Sequence, residues 1–374
     1  MKGQLAGMMR RVDPILFFAT SFLSLISLVT IFGAVDNFGK SKLIMQTAMT
    51  LLGVVMIVII ANLDYNFFVD RFYIFMFAIS VALLVLTLVL GISGENMATA
   101  NRSWLRLWPG GPMIQPSEFV KITFICSFSK HISLVRDKIN RPLTVLGLSL
   151  HAGAITGLIL ISGDLGVSLV YFGIILVMLF CSGLSLWYFL ILGAIIAVAF
   201  PFMWDFLAPY QQNRIIYGFQ PELDPFGYGM QPLMSKEAIA RGGFFGEGIF
   251  GGEIYEDLAA SHTDFIFATV CEKFGFIGGF LVVAGICVIV VRIIYIALKC
   301  SNPVGRVMCC GIAAIFIFQT LENIGMCLAL IPVVGITLPF MSAGGSSMLA
   351  LYTIVGLVHS VRSHEKNFNF ARRI

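Results

Sequence analysis

The stretch SHTDFIFATVCEKFGFIGG, residues 261–279, opens a long apolar run but carries three ionisable groups within ten residues. Asp264 stands at its start, and Glu272 and Lys273 fall inside it. Ionisable side chains in a membrane-length run are costly and by default mark function. Outward from this stretch, apolar blocks of roughly 20 residues recur along the chain, the length that spans a bilayer as helix. The 374 residues are 58% hydrophobic and 12% charged, with a mean hydropathy of +0.93. A water-soluble domain cannot bury so much apolar surface. The expected fold is therefore an all-α polytopic membrane protein, a single integral membrane domain over residues 1–374.

About ten spans are expected, at 14–35, 43–62, 72–92, 117–134, 143–162, 165–181, 184–204, 264–298, 308–331 and 337–361. The eighth is long and must tilt, bend or project from the bilayer. The first follows MKGQLAGMMRRVD with no evident small-residue cleavage site, so it reads as a retained helix. Placing both termini in the cytoplasm puts Lys and Arg on the inner segments by about two to one, as the positive-inside rule asks. Two external loops follow, at 93–116 and 205–263. The larger is rich in Gly, Pro, Tyr and acids, and its many aromatics argue that it folds over the external face. The net charge of +4 is spread out and forms no basic stripe, which argues against nucleic acid as a partner. The eight cysteines lie in or beside apolar blocks without a CxxC pair, and read as small apolar fillers.

Several polar groups stand out, each with a structural reading beside a functional one. Asp264 suits a helix N-cap, or a carboxylate facing an arriving substrate. Glu272 lies about 12 Å deeper and about 80° around the helix, and with Lys273 reads as a buried ion pair that holds the helix in place. Glu118 and Lys121 share a helix face, as a salt bridge or as a site for a lipid head group or diphosphate. Asp164, in SGDLG, caps a tight external turn or sits at the membrane surface as a functional carboxylate. Gly246, Gly248 and Gly251 form a GxGxxG without the βαβ unit that a dinucleotide site needs, so they read as flexible loop. IPVVGITLPFMSAGGSS, residues 331–347, reads as a broken helix, with Glu322 and Asn323 beneath it, either packing closely or lining a polar cavity.

Taken in order, NRSWLRL…IQPSEFVK, SGDLG, YQQNRI…DPFGYGMQ, SHTDFIFA, NIGM and LPFMSAGGSS resemble the SEDS family (shape, elongation, division and sporulation), of RodA/FtsW type. Each motif alone is weak, but the ordered set with ten spans is specific. The resemblance implies a peptidoglycan glycosyltransferase that polymerises lipid II, a disaccharide-pentapeptide on undecaprenyl diphosphate. It implies the outer face of the bacterial inner membrane as the place of work and a class B penicillin-binding protein, a transpeptidase, as partner. It makes Asp264 the essential carboxylate. It places substrate contacts at Arg102, Trp104, Gln115, Glu118, Lys121, Asp164, Gln231, His262, Thr263, Ser346 and Ser347. The short termini resemble the elongation (RodA) branch.

The chain departs from the family pattern in places. Ser103 is inserted between Arg102 and Trp104, Gly163 stands for a Pro, and Glu272-Lys273 stands for Glu-Glu. Ala343 replaces a Tyr, and the usual Pro-Glu before HTDF is missing, with Glu256 and Asp257 nearby. The chemistry asks for a base at the acceptor hydroxyl, expected to be Asp264. It also asks for cations at the leaving diphosphate, with Arg102, Lys121, Arg214 and Arg241 as candidates. Mg²⁺ or Mn²⁺ suits carboxylates and diphosphate, although no DxD motif argues for it. A lipid-precursor flippase or transporter, and a non-catalytic scaffold of the cell-wall synthesis complex, are the rival readings.

Overall fold

The computed structural model describes residues 11–92, 102–207 and 209–365. Part of the expected 93–116 loop, and the terminal basic residues counted for orientation, lie outside them. In chain order the main helices are α1 (Pro14–Gly33), α2 (Lys40–Asn62), α3 (Tyr65–Leu90), α4 (Pro116–Leu134), α5 (Pro142–Ile161) and α6 (Leu165–Cys181). They continue with α7 (Leu186–Phe206), α8 (Pro209–Phe219), α9 (Met230–Arg241), α10 (Ile266–Lys299), α11 (Pro303–Cys327) and α12 (Gly345–His364). All but α8 and α9 fall on the ten expected spans. Six of them, α1, α2, α3, α5, α10 and α11, are long and apolar enough to cross a membrane. The more polar α4 and α12 are largely buried among the others, and no described residue of α7 is fully buried.

Local chemistry sets the helix starts. Asp13, Asp64, Asp164 and Asn302 cap α1, α3, α6 and α11 through their side chains, which satisfies N–H groups a helix start leaves open. Proline at the first turn begins α1, α4, α5 and α11, where its missing N–H does no harm. Short connections then make successive helices antiparallel. Lipid offers no hydrophobic drive between helices, so close packing of small residues and buried polar pairs carry the assembly. Gly53 of α2 lies against the Tyr352 ring of α12, and Gly356 of α12 against Ile60 of α2. At the other face, buried Asp13 pairs with Arg292 of α10 at 2.7 Å and Arg362 of α12 at 3.0 Å, tying three helices together.

The long eighth span bends. Gly275 sits at φ 63°, ψ −161°, and breaks α10. The loop GGFFGEGIFGG, residues 242–252, fills the break. Phe276 N–H donates to the Gly243 carbonyl at 2.8 Å and Ile277 N–H to that of Phe244 at 3.3 Å. In return, Glu247 N–H donates to the Glu272 carbonyl at 2.9 Å and Gly248 N–H to that of Lys273 at 3.0 Å. Gly246 and Gly248, with φ of 82° and 98°, are therefore fitted into a helix break. They are not a flexible loop, because the pairing fixes both partners.

Glu272 and Lys273 also depart from expectation. No ion pair joins either to an acid or base among the described residues. Glu272 instead accepts the backbone N–H groups of Glu253, Ile254 and Tyr255, each at 2.9 Å. Lys273 donates to the carbonyls of Gly33, Ile249 and Gly251 at 3.3, 3.1 and 2.9 Å and lies 4.0 Å over the Tyr255 ring. Backbone groups that no helix or sheet satisfies took the partners that a second charge was expected to take.

The ninth span ends earlier and the tenth begins later than expected, because residues 328–344 are not helical. Two prolines and the left-handed Gly335, at φ 72°, keep the chain from continuing as helix. An alanine at Gly275 would take a left-handed φ and put its Cβ 2.5 Å from Gly246 N and the Phe244 carbonyl. Gly275→Ala is expected to destabilise the protein, by on the order of 1–3 kcal/mol from the backbone strain alone. Thermal unfolding in detergent should show a lowered Tm.

Candidate active site

Asp264 lies in a turn just ahead of α10, and that turn rests on the non-helical segment 328–344. The Thr263 carbonyl accepts from Ser342 Oγ at 2.6 Å, and the His262 carbonyl from Ala343 N–H at 2.8 Å. Asn323 of α11 spans the two pieces, donating from one amide nitrogen to the carbonyls of Asp264 and Ile336, both at 2.7 Å. A Cβ on Gly335 would stand 3.3 Å from Asp264 Oδ2, so glycine leaves that carboxylate room. The main chain on each side of Asp264 is thus fixed, while its side chain is half-buried.

Three other elements converge beside it. Asp164 caps α6, accepting from Val167 N–H at 3.1 Å and from the Gln115 amide at 3.1 Å. Gln115 N–H in turn donates to Ser346 Oγ at 3.4 Å, which joins the starts of α4 and α12. Ser347 and Thr337 share a hydrogen bond at 3.1 Å. A small cleft of about 50 Å³ lies between the α5–α6 turn, α8 and residues 332–334, with Asp164, Tyr210, Gln211 and Arg214 among its lining. Burial pushes the Asp264 carboxyl up to about 6, countered by its hydrogen bond with Thr263 and the Arg214 charge, with a further push from Asp164. Burial raises Asp164 too, against the hydrogen bonds that hold it. Arg214 and Asp164 thus act in opposite directions on the Asp264 carboxyl.

Other expected residues sit elsewhere. Lys121 is spent on Glu118 at 2.6 Å, and the two side chains are 1% and 4% exposed. Lys121 is thus no free cation at the cleft, because the fold encloses that face of α4. Arg241 pairs with Glu247 at 2.8 Å and Glu253 at 3.2 Å, inside the loop. Gln231 accepts from Ala259 N–H at 2.8 Å and so shapes the approach to the Asp264 turn. The His262 ring lies 5.3 Å from that of Phe38. The Arg102 side chain is exposed, its N–H bonded to the Ser162 carbonyl at 3.0 Å, and Trp104 bridges to Ile92. Asn323 and Ser342 were missed as site residues. The signal for Asn323 was present, as an amide in the middle of an apolar span. Among the described residues no three His, Cys, Asp or Glu side chains converge as a metal set. Asp164 and Asp264 remain a pair of hard oxygen donors beside the cleft.

The family model for cell cycle proteins of the FtsW, RodA and SpoVE type matches residues 10–367. The chain belongs to this family. A probable peptidoglycan glycosyltransferase FtsW of Trichlorobacter lovleyi is 34% identical over 88% of this chain and 86% of its own length. Stage V sporulation protein E of Bacillus subtilis is 33% identical over 95% of this chain and 98% of its own. These near-equal identities identify the FtsW/RodA/SpoVE family without selecting a branch. A chain from a structure described as "Structural coordination of polymerization and crosslinking by a peptidoglycan synthase complex" superposes with a TM-score of 0.80 at 27% identity. The match covers 93% of this chain and 97% of that one.

Replacing Asn323 by Leu leaves the carbonyls of Asp264 and Ile336 without that donor. Leaving a buried acceptor unsatisfied costs about 1–3 kcal/mol, so Asn323→Leu is expected to lower the Tm of the detergent-solubilised protein. An unchanged Tm would show that the amide does not hold the turn.

Proposed function

We propose that this chain is a peptidoglycan glycosyltransferase that polymerises lipid II at the outer face of the bacterial inner membrane, with both termini in the cytoplasm. The observation that carries the reading is the placement of Asp264. It is a carboxylate raised to about 6, fixed by its backbone at the helix ends, beside a cleft that holds Arg214. A prenyl chain can stay in lipid there while its sugars reach water.

The acceptor is the GlcNAc 4-hydroxyl of one lipid II. Asp264 accepts the hydroxyl proton as the oxygen attacks the MurNAc anomeric carbon of the donor strand, a contribution of about 10²–10⁴-fold. The bond from that carbon to the phosphate oxygen breaks, and undecaprenyl diphosphate leaves with the electron pair. One displacement turns an α-linked donor into a β-linked product. Arg214 meets the charge gathering on the diphosphate. Asp164, held by Gln115, stands across from it and orients sugar hydroxyls. Asp164 and Asp264 would be the residues to hold a Mg²⁺ or Mn²⁺ ion, which would supply further positive charge for the leaving diphosphate. A class B penicillin-binding protein is the proposed partner that cross-links the product. The synthase complex among the structural relatives supports that pairing.

Wild type, with a matching class B partner, is expected to make long glycan strands from purified lipid II, and Asp264→Asn none while inserting and folding normally. Strands from the variant would overturn Asp264 as base. No strands from either protein would favour the transporter reading, to be checked by a lipid II flipping assay. A protonated Asp264 cannot accept the hydroxyl proton, so the rate should fall as pH drops through about 6. The Arg214 charge lowers this carboxyl, so Arg214→Ala should move the acid limb to higher pH, and Arg214→Lys should restore it in part.

A further inference from the structure

Three phenylalanines of the 242–252 loop are held away from the protein: Phe244, Phe245 and Phe250 are 58%, 78% and 73% exposed. They extend an apolar surface that belongs to membrane-crossing helices. Phe244 stacks on Phe276 of α10 at 5.8 Å, and Phe276 on Phe280 at 6.2 Å. Phe250 meets Phe32 of α1 edge-on at 5.9 Å. Phe32, Phe276 and Phe280 are themselves exposed, on helices apolar enough to cross a bilayer. The loop thus continues their outer surface without a polar boundary.

The backbone of the loop gives a second, independent sign. A loop in water can leave its N–H and C=O groups to solvent. Non-helical backbone at hydrocarbon depth must find partners within the protein. Where the loop meets α10, the carbonyls of Gly243, Phe244, Ile249 and Gly251, and the N–H groups of Gly246, Glu247 and Gly248, bond to protein, while the N–H groups of Phe244, Phe245, Ile249, Phe250 and Gly252 make no such bond among the described residues. The buried Lys273 ammonium serves two of those carbonyls. The charges nearest the loop, Arg241, Glu247 and Glu253, are paired with one another.

We propose that residues 242–252 form a re-entrant wedge seated in the lipid leaflet on the Asp264 side, with Phe244, Phe245 and Phe250 among the acyl chains. The occupant of this surface is bilayer lipid. The wedge is bonded to the main chain at Glu272 and Lys273, eight and nine residues beyond Asp264. It therefore holds that carboxylate at a set depth relative to the lipid surface. The proposal does not depend on the reaction that Asp264 performs.

The test uses the full chain in lipid nanodiscs, with Phe245→Trp and Phe250→Trp made separately and the emission of the parent protein subtracted. Phospholipids brominated along the acyl chain are expected to quench most of the added emission, while aqueous iodide leaves it unchanged. Quenching by iodide without quenching by brominated lipid would place the loop in water and overturn the proposal. Shielding from both would also overturn it, in favour of cover by a second copy of the chain. Each replacement keeps a large aromatic at an exposed site, so loss of folding should not obscure the result. The Tm of each variant checks that.

Discussion

The Glu272 carboxylate accepts three consecutive backbone N–H groups, of Glu253, Ile254 and Tyr255, and the neighbouring Lys273 ammonium takes three carbonyls. The rest of the active face depends on this exchange. Hydrogen bonds to a charged group contribute on the order of 1.5–3 kcal/mol each, and here they help join the loop to the helix. The break at Gly275 adds four main-chain bonds between the same two pieces. Side-chain charge and main-chain pairing thus act on one junction, and the Asp264 turn is the stretch of chain that leaves it.

The second fixed point is the non-helical segment 328–344. It gives up the first turns of a membrane helix, and its backbone groups bond instead to the Asp264 turn, to Asn323 and to Ser342. The backbone around Asp264 is thereby held from two sides, and its side chain takes no part in those bonds. Arg214 and Asp164 reach it from other elements. The arrangement separates support from chemistry. The Asp13 cluster holds three helices together and the buried Glu118–Lys121 pair closes within α4, while Asp164 and Asp264 stand just ahead of α6 and α10 and Arg214 lies on α8.

Much of this was legible in the sequence. The ten apolar blocks, the cap at Asp164 and the need for the long eighth span to tilt, bend or project follow from length, spacing and capping chemistry, whereas Asp264, read as a possible N-cap, stands one residue ahead of the actual cap Phe265. What was not legible depends on distant backbone. Glu272 and Lys273 read as an ion pair because a sequence shows side chains and not the unsatisfied amides of a loop twenty residues away. The glycines at 246, 248 and 251 read as flexible because nothing local shows the helix break they enter. Arg241 read as a free cation, although the fold brings Glu247 and Glu253 to it, whereas the Glu118–Lys121 salt bridge was one of the two readings of that helix face. Asn323 was visible as an oddity, but the two carbonyls it joins lie 59 and 13 residues away.

The central claim is that Glu272 fastens the loop which sets the Asp264 turn. It is tested most directly by hydrogen exchange of the detergent-solubilised protein, read by mass spectrometry, in wild type and Glu272→Ala. The account predicts that amides of residues 247–255 exchange much faster in the variant, that the Asp264 turn follows, and that α11 and α12 stay protected. Unchanged protection across residues 247–255 would contradict it, and would mean that the loop is held by the helix break alone.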